Sequence, residues 1–144
     1  MGNRRRSRES ALQVLYQLDI TKQNASRTFT QSQDYFSPNE KEDEFAQRLV
    51  LGVMEHFEEI DRLIEEYSEN WRLDRMSIID RNLLRVAIFE LLYCEEIPPK
   101  VTLNEAIDLG KRYGSDESGS FINGILDRIQ NEAIRKPTRP KPVT

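Results

Sequence analysis

Apolar side chains recur every three or four positions along most of this chain, and no stretch alternates apolar and polar residues as a half-buried strand must. That period favours helices packed face to face, so the chain reads as all-α. Its 144 residues are one domain's worth, enough to bury a core. A first helix over 5–20 puts Ala11, Leu12, Val14, Leu15 and Leu18 on one stripe, with Arg5, Arg6, Gln13 and Tyr16 on the opposite side. Residues 21–37 are polar and read as a long loop or at most a short helix. Ser37-Pro38-Asn39-Glu40 is a helix start, with a serine cap, proline at the first helical position and glutamate completing a capping box. Phe45, Leu49, Val53 and Phe57 follow at spacings of four. Gly52 or the region around His56 separates them from a second helix carrying Ile60, Leu63, Ile64 and Tyr67.

Residues 72–76 read as a connection, after which Ser77 and Asp80 open another helix. From Ile78 to Tyr93 apolar residues fall on nearly every side, which predicts the central, most buried helix. Pro98-Pro99 bars its continuation. A capping box at Thr102 and Glu105 predicts a short helix over 103–113, closed by Gly114 in the left-handed conformation. The last helix carries Phe121, Ile122, Ile125, Leu126, Ile129 and Ala133 on one stripe. Pro137, Pro140 and Pro142 preclude more helix, so the expected organisation is one helical domain over 1–134 and a disordered basic tail over 135–144.

Several function classes are disfavoured. The apolar runs fall far short of the ~20 residues that span a bilayer, and no signal-peptide pattern follows the N-terminal arginines, so a cytoplasmic protein is expected. With one cysteine and one histidine there is neither an internal disulfide nor a Cys/His zinc set. Cys94 ends the central helix after Leu91, Leu92 and Tyr93 and reads as core. His56 lies among acids with no nucleophile motif nearby and reads as a surface or partly packed side chain. No phosphate-binding glycine loop occurs. The expectation is a protein that is not an enzyme and holds neither cofactor nor metal.

The net charge of −4 hides a strong asymmetry. Arg4, Arg5, Arg6 and Arg8 stand without an acid in residues 1–8, while residues 34–69 hold twelve acids against Lys41, Arg48 and Arg62. Residues 135–144 add Arg135, Lys136, Arg139 and Lys141. Four arginines at a helix start oppose the helix dipole, at up to about 0.3–1 kcal/mol each. Facing phosphates, the same side chains bind oxygens in pairs and gain from counterion release. Tyr16 on that outer face suits stacking of an unpaired base, and Gln13 suits reading a base edge, a combination fitted to single-stranded RNA. A solvated helix face with one tyrosine lying along it remains the alternative.

Four segments, RRRSRESALQVLYQ at the N-terminus, DRNLLRVAIFELL in the centre, the stretch from Pro98 through KVTLNEAIDLGK, and FINGILD at Phe121–Asp127, together resemble the bacterial transcription antitermination factor NusB family. The resemblance covers residues 4–20 and 71–129. It implies a fold of about seven helices in two packed small bundles. It also implies binding of boxA RNA in ribosomal RNA leader transcripts and of the ribosomal small-subunit protein NusE, within an RNA polymerase antitermination complex holding other Nus factors. The RNA contacts it implies fall on Arg4, Arg5, Arg6 and Arg8, with Gln13 and Tyr16 beside them. The resemblance also implies that Phe121 lies near the RNA surface with Glu117 adjacent to it, and that Asp80 is the partner-side residue. Gly119 and Ser120 depart from members that carry a basic residue there, which weakens the second half of the RNA site. Phe121 also belongs to the apolar stripe and is as well explained by packing.

Two other readings stand beside this one. In the first, a protein-only scaffold, the acidic body docks a basic partner and the arginine arm only solubilises or joins two copies in a homodimer. In the second, the recognition domain of an RNA-modifying enzyme, the chain should continue into a methyl-donor domain, for which the residues after 134 leave no room.

Overall fold

The computed structural model describes residues 3–21, 41–69 and 71–134. Among these residues the elements are α1 (Asn3–Thr21), α2 (Lys41–Glu55), α3 (Phe57–Tyr67), a 3-10 turn (Leu73–Arg75), α4 (Ile78–Tyr93), α5 (Pro99–Tyr113), α6 (Ser118–Arg128) and a π-helical turn (Ile129–Ile134). The fold is all-α. Six α-helices are described where the family resemblance implies about seven. The segment from residue 22 through the Ser37–Glu40 helix start and the tail from 135 lie outside the described residues.

Helices α1 and α2 pack as one pair and α5 and α6 as another, with α4 between them touching every other helix. Its Leu84 and Ile88 are fully buried, and Leu83, Val86, Ala87 and Phe89 nearly so. Around it close Ala11, Leu12, Val14 and Leu15 of α1, Leu49, Val50 and Val53 of α2, and Ile122, Ile125 and Leu126 of α6. The α1 stripe expected from the sequence is the one that is buried. Gly52 lets α2 approach α4, because a Cβ there would sit 2.2 Å from the Phe89 ring. The break between α2 and α3 falls at His56, and it turns Phe57 out of the apolar stripe. Phe57 is 42% exposed and lies over the Arg85 guanidinium, 4.5 Å from its ring centre.

Ser77 caps α4 as expected, its hydroxyl accepting from the Asp80 N–H at 3.0 Å. Two other expectations are corrected. Helix α5 begins at Pro99, so Thr102 lies inside it and caps nothing. Its hydroxyl donates instead to Glu90 at 2.8 Å. Gly114 closes α5 with φ −100°, outside the left-handed region. A glycine suits the site because of the tight return into α6, where a Cβ would sit 2.3 Å from the Ser118 hydroxyl oxygen.

Two polar sets, one buried and one half-buried, join α4 to its neighbours. Arg8 of α1, 4% exposed, donates from Nε and Nη2 to the two oxygens of Glu90, itself 1% exposed, at 2.7 and 2.8 Å. With Thr102 on the same carboxylate, α1, α4 and α5 meet at one ion pair. At the other end of α1, Asp19 accepts from Arg81 at 2.8 and 2.9 Å, from Asn82 at 2.9 Å and from Arg85 at 3.0 Å. Arg85 also grips Asp61 of α3 at 2.9 and 3.1 Å. Burial alone would raise the Asp19 carboxyl. The hydrogen bonds from Arg81 and Asn82 and the two arginine charges outweigh it and hold the group at about 2.

These pairs generate two expectations. Replacing Glu90 by Gln leaves the buried Arg8 charge with only Glu105, at 3.5 Å, as counterion, and urea titration should show a loss of about 3 kcal/mol, the lower end for breaking a buried pair. A loss under 1 kcal/mol would show that the pair contributes little. The folded pKa of Asp19 lies below its unfolded value, so its contribution of about 2 kcal/mol is full above pH ~4 and fades as pH falls toward 2. Asp19→Asn should therefore cost stability at pH 6 and flatten the acid limb of a stability–pH curve. An acid limb of unchanged slope would contradict this assignment.

Candidate RNA-binding surface

Helix α1 buries one face, and the four arginines of its first turns go to different places. Arg4 is exposed, with its guanidinium 4.9 Å from the centre of the Phe45 ring. Arg5 is 35% exposed and forks onto α5, donating from Nε and Nη2 to Glu105 at 2.9 and 2.8 Å and from Nη2 to Asp108 at 3.0 Å. The Arg5 guanidinium is held well above its usual pKa chiefly by the Glu105 hydrogen bonds, and the same contact lowers Glu105. Arg6 is exposed. Arg8, grouped with the arm by sequence, faces inward to Glu90. A phosphate could reach it only by breaking a buried pair.

Arg6, Gln13 and Tyr16 come together as expected. They line a groove of about 570 Å³ with Glu9, Ser10 and Leu12 of α1, Ile79 of α4 and Tyr113 of α5. Tyr16 is 37% and Tyr113 44% exposed, so the groove has an aromatic side chain from each of two helices. The Tyr113 hydroxyl donates to Oε2 of Glu9 at 2.9 Å, and Arg112 lies 3.4 Å from the same oxygen. Burial and this contact raise the Tyr113 phenol. Tyr113 and Glu9 were not legible as site residues. They lie 104 positions apart, and only the placement of α5 alongside α1, where Arg5 meets Glu105 and Asp108 and Glu9 meets Tyr113, makes them neighbours.

Phe121 lies elsewhere. It is half-buried in α6, edge-on to Trp71 with ring centres 6.2 Å apart, and lines a second hollow of about 310 Å³ with Tyr67, Trp71 and Arg128. Trp71, 53% exposed, was missed because an isolated tryptophan in a connection carries no periodic signal. Glu117 is exposed just before α6. Gly119 is buried beneath the Lys111 side chain, since a Cβ there would stand 3.1 Å from Lys111 Cγ and 3.2 Å from its Cε. A lysine from α5 thus crosses the position where the sequence lacks a basic residue.

Asp80 is only 9% exposed, and its Oδ1 has no hydrogen-bond partner among the described residues. His56 stacks on Tyr93 with ring centres 4.0 Å apart. Cys94 is buried, its thiol pushed up to about 11 by burial, as a core cysteine should be. Among the described residues no group of three or more His, Cys, Asp or Glu could hold a metal, and no helix is long and apolar enough to cross a membrane.

Sequence and all-helical fold both match known proteins over most of the chain. Residues 5–131 match the NusB family. The transcription antitermination protein NusB of Myxococcus xanthus is 50% identical over 141 residues, covering 95% of this chain and all of that protein. The solved structure of T. maritima NusB superposes with a TM-score of 0.83 at 40% identity, covering 90% of this chain and 91% of that one. A structure of the antitermination factors NusB and NusE in complex with double-stranded RNA gives 0.78 at 31% identity, covering 91% and 98%. With the match running through α1, α4, α5 and α6 alike, the chain belongs to the NusB family.

Proposed function

We propose that this protein is a non-enzymatic RNA-binding adaptor of transcription antitermination, recognising boxA RNA of ribosomal RNA transcripts together with NusE. The observation that carries the reading is the α1 groove, where Arg6, Gln13 and Tyr16 meet on an exposed surface. Arg4 and Arg6 supply the phosphate contacts, Tyr16 a stacking face and Gln13 a base-edge contact. Arg5 joins them only by exchanging Glu105 and Asp108 for phosphate oxygens, and Arg8 serves the fold. Phe121 and Trp71, with Lys111 across Gly119, form a second and separate contact region, next to Glu117. Support for RNA and NusE as partners comes from the related NusB–NusE structure with RNA.

Asp80 stands as the NusE-side residue. Its Oδ1 is buried and has no partner among the described residues, so a NusE donor engages it only if the start of α4 gives way. The exposed acids of α3, including Glu58, Glu65 and Glu66, suit a basic ribosomal protein.

The test is a salt titration of binding to a single-stranded boxA RNA, with and without NusE. Each single-strand phosphate neutralised adds about 0.7 to the slope of log K against log salt. Arg4→Ala with Arg6→Ala should lower the slope by about 1.4 and weaken binding at moderate salt, with helix content unchanged. A wild-type slope near zero, or equal binding by the double variant, would overturn the proposal. Capture of NusE without any RNA binding would favour a protein-only scaffold.

A further inference from the structure

A carboxylate is unexpected in a groove read as a phosphate and nucleobase site. Glu9 nevertheless lines it beside Arg6, Ser10, Gln13, Tyr16 and Tyr113, with its side chain 25% exposed. Solubility does not explain the position, because Glu9 is held in place. Both of its described contacts, from the Tyr113 hydroxyl and from Arg112, fall on Oε2. The carboxylate is therefore oriented by another helix, and neither contact engages Oε1. Gln13 stands four residues on, one turn along the same face of α1. Two exposed tyrosines border the same space.

Ionised, a carboxylate only accepts hydrogen bonds. It favours a base that presents an amino group and disfavours one whose edge carries carbonyl oxygens. Cytosine and adenine each offer an exocyclic amino group, and guanine offers an amino group beside a ring N–H. Uracil offers one ring N–H flanked by two carbonyl oxygens, which a carboxylate repels. The Gln13 amide both donates and accepts, so it can engage the remaining edge of an amino-bearing base.

We propose that Glu9 is a specificity-determining residue of the α1 groove, selecting an unpaired base with an exocyclic amino group and rejecting uracil. Tyr113 and Arg112 act as positioning residues that hold the carboxylate toward the base. This rests on the reading of the groove as an RNA site and adds to it which base class the groove takes.

The probes are cytidine and uridine homo-oligomers of equal length, whose equal phosphate charge removes the backbone contribution from the comparison. Wild-type protein should prefer oligocytidine by about tenfold, the scale of one hydrogen bond to a charged acceptor. Glu9→Gln, an isosteric change whose amide can also donate to a uracil carbonyl, should bring the ratio to within about twofold of unity, mainly by tightening oligouridine. Thermal melting of the variant checks that the fold is kept. Should Glu9→Gln not fold, Tyr113→Phe, which keeps the ring but loosens the carboxylate, should reduce the ratio in part. A ratio unchanged in the variants, or a wild type without preference, while RNA is still bound, would overturn the role of Glu9 and leave the RNA reading standing. No binding of either oligomer or of boxA RNA at low salt would overturn both.

Discussion

Helix α4 is buried on nearly every side, yet it carries Asn82, Arg85 and Glu90 inside the protein, and Arg81 close to its surface. A buried charge without a partner is among the most destabilising features a fold can contain, so each of these groups dictates where a neighbouring helix must lie. Glu90 requires Arg8, which sets the N-terminal half of α1. Arg81 and Arg85 require Asp19 and Asp61, which set the C-terminal end of α1 and the position of α3. Apolar packing alone tolerates helices that slide or rotate, whereas forked arginine–carboxylate pairs tolerate neither. The placement of α1, and hence the surface it presents, follows from these pairs.

The same chemistry divides the arginine arm. All four guanidiniums are equivalent in composition and sit within five residues of each other. Glu90 takes Arg8 into the core, and Glu105 with Asp108 draws Arg5 onto α5. Arg4 and Arg6 stay on the outer face. A surface that suits RNA is thus smaller than the count of basic residues suggests, and it borders a groove completed by a helix from the other half of the chain. The lysine stem over Gly119 is a second case in which a charge reaches a position from a different element than the one expected to supply it.

Much of the fold was legible. The α1 stripe, the cap at Ser77, the all-round burial of α4 and the last apolar stripe follow from period and capping chemistry, which act within one or two turns of chain. Thr102 illustrates the limit: a threonine three residues before a glutamate has the form of a capping box, but Pro98-Pro99 had already started the helix, and a buried carboxylate on α4 claimed the hydroxyl. Phe57 shows another limit, since a single irregular residue at His56 turned a spacing of four out of register. Of the site, Arg6, Gln13 and Tyr16 could be grouped because they share one helix.

Sequence by itself determined the helical class, most helix boundaries, the stripe each helix buries and, through four motifs, the family. Those are local properties, set by the 3.6-residue period and by the shortage of backbone partners at helix ends. Tertiary structure alone decided which arginines are structural and which are exposed, and it brought Tyr113 and Glu9 to one groove. The reason is that a guanidinium's role depends on the carboxylate nearest in space, and for Arg5 and Arg8 those carboxylates lie 82 to 103 residues away along the chain.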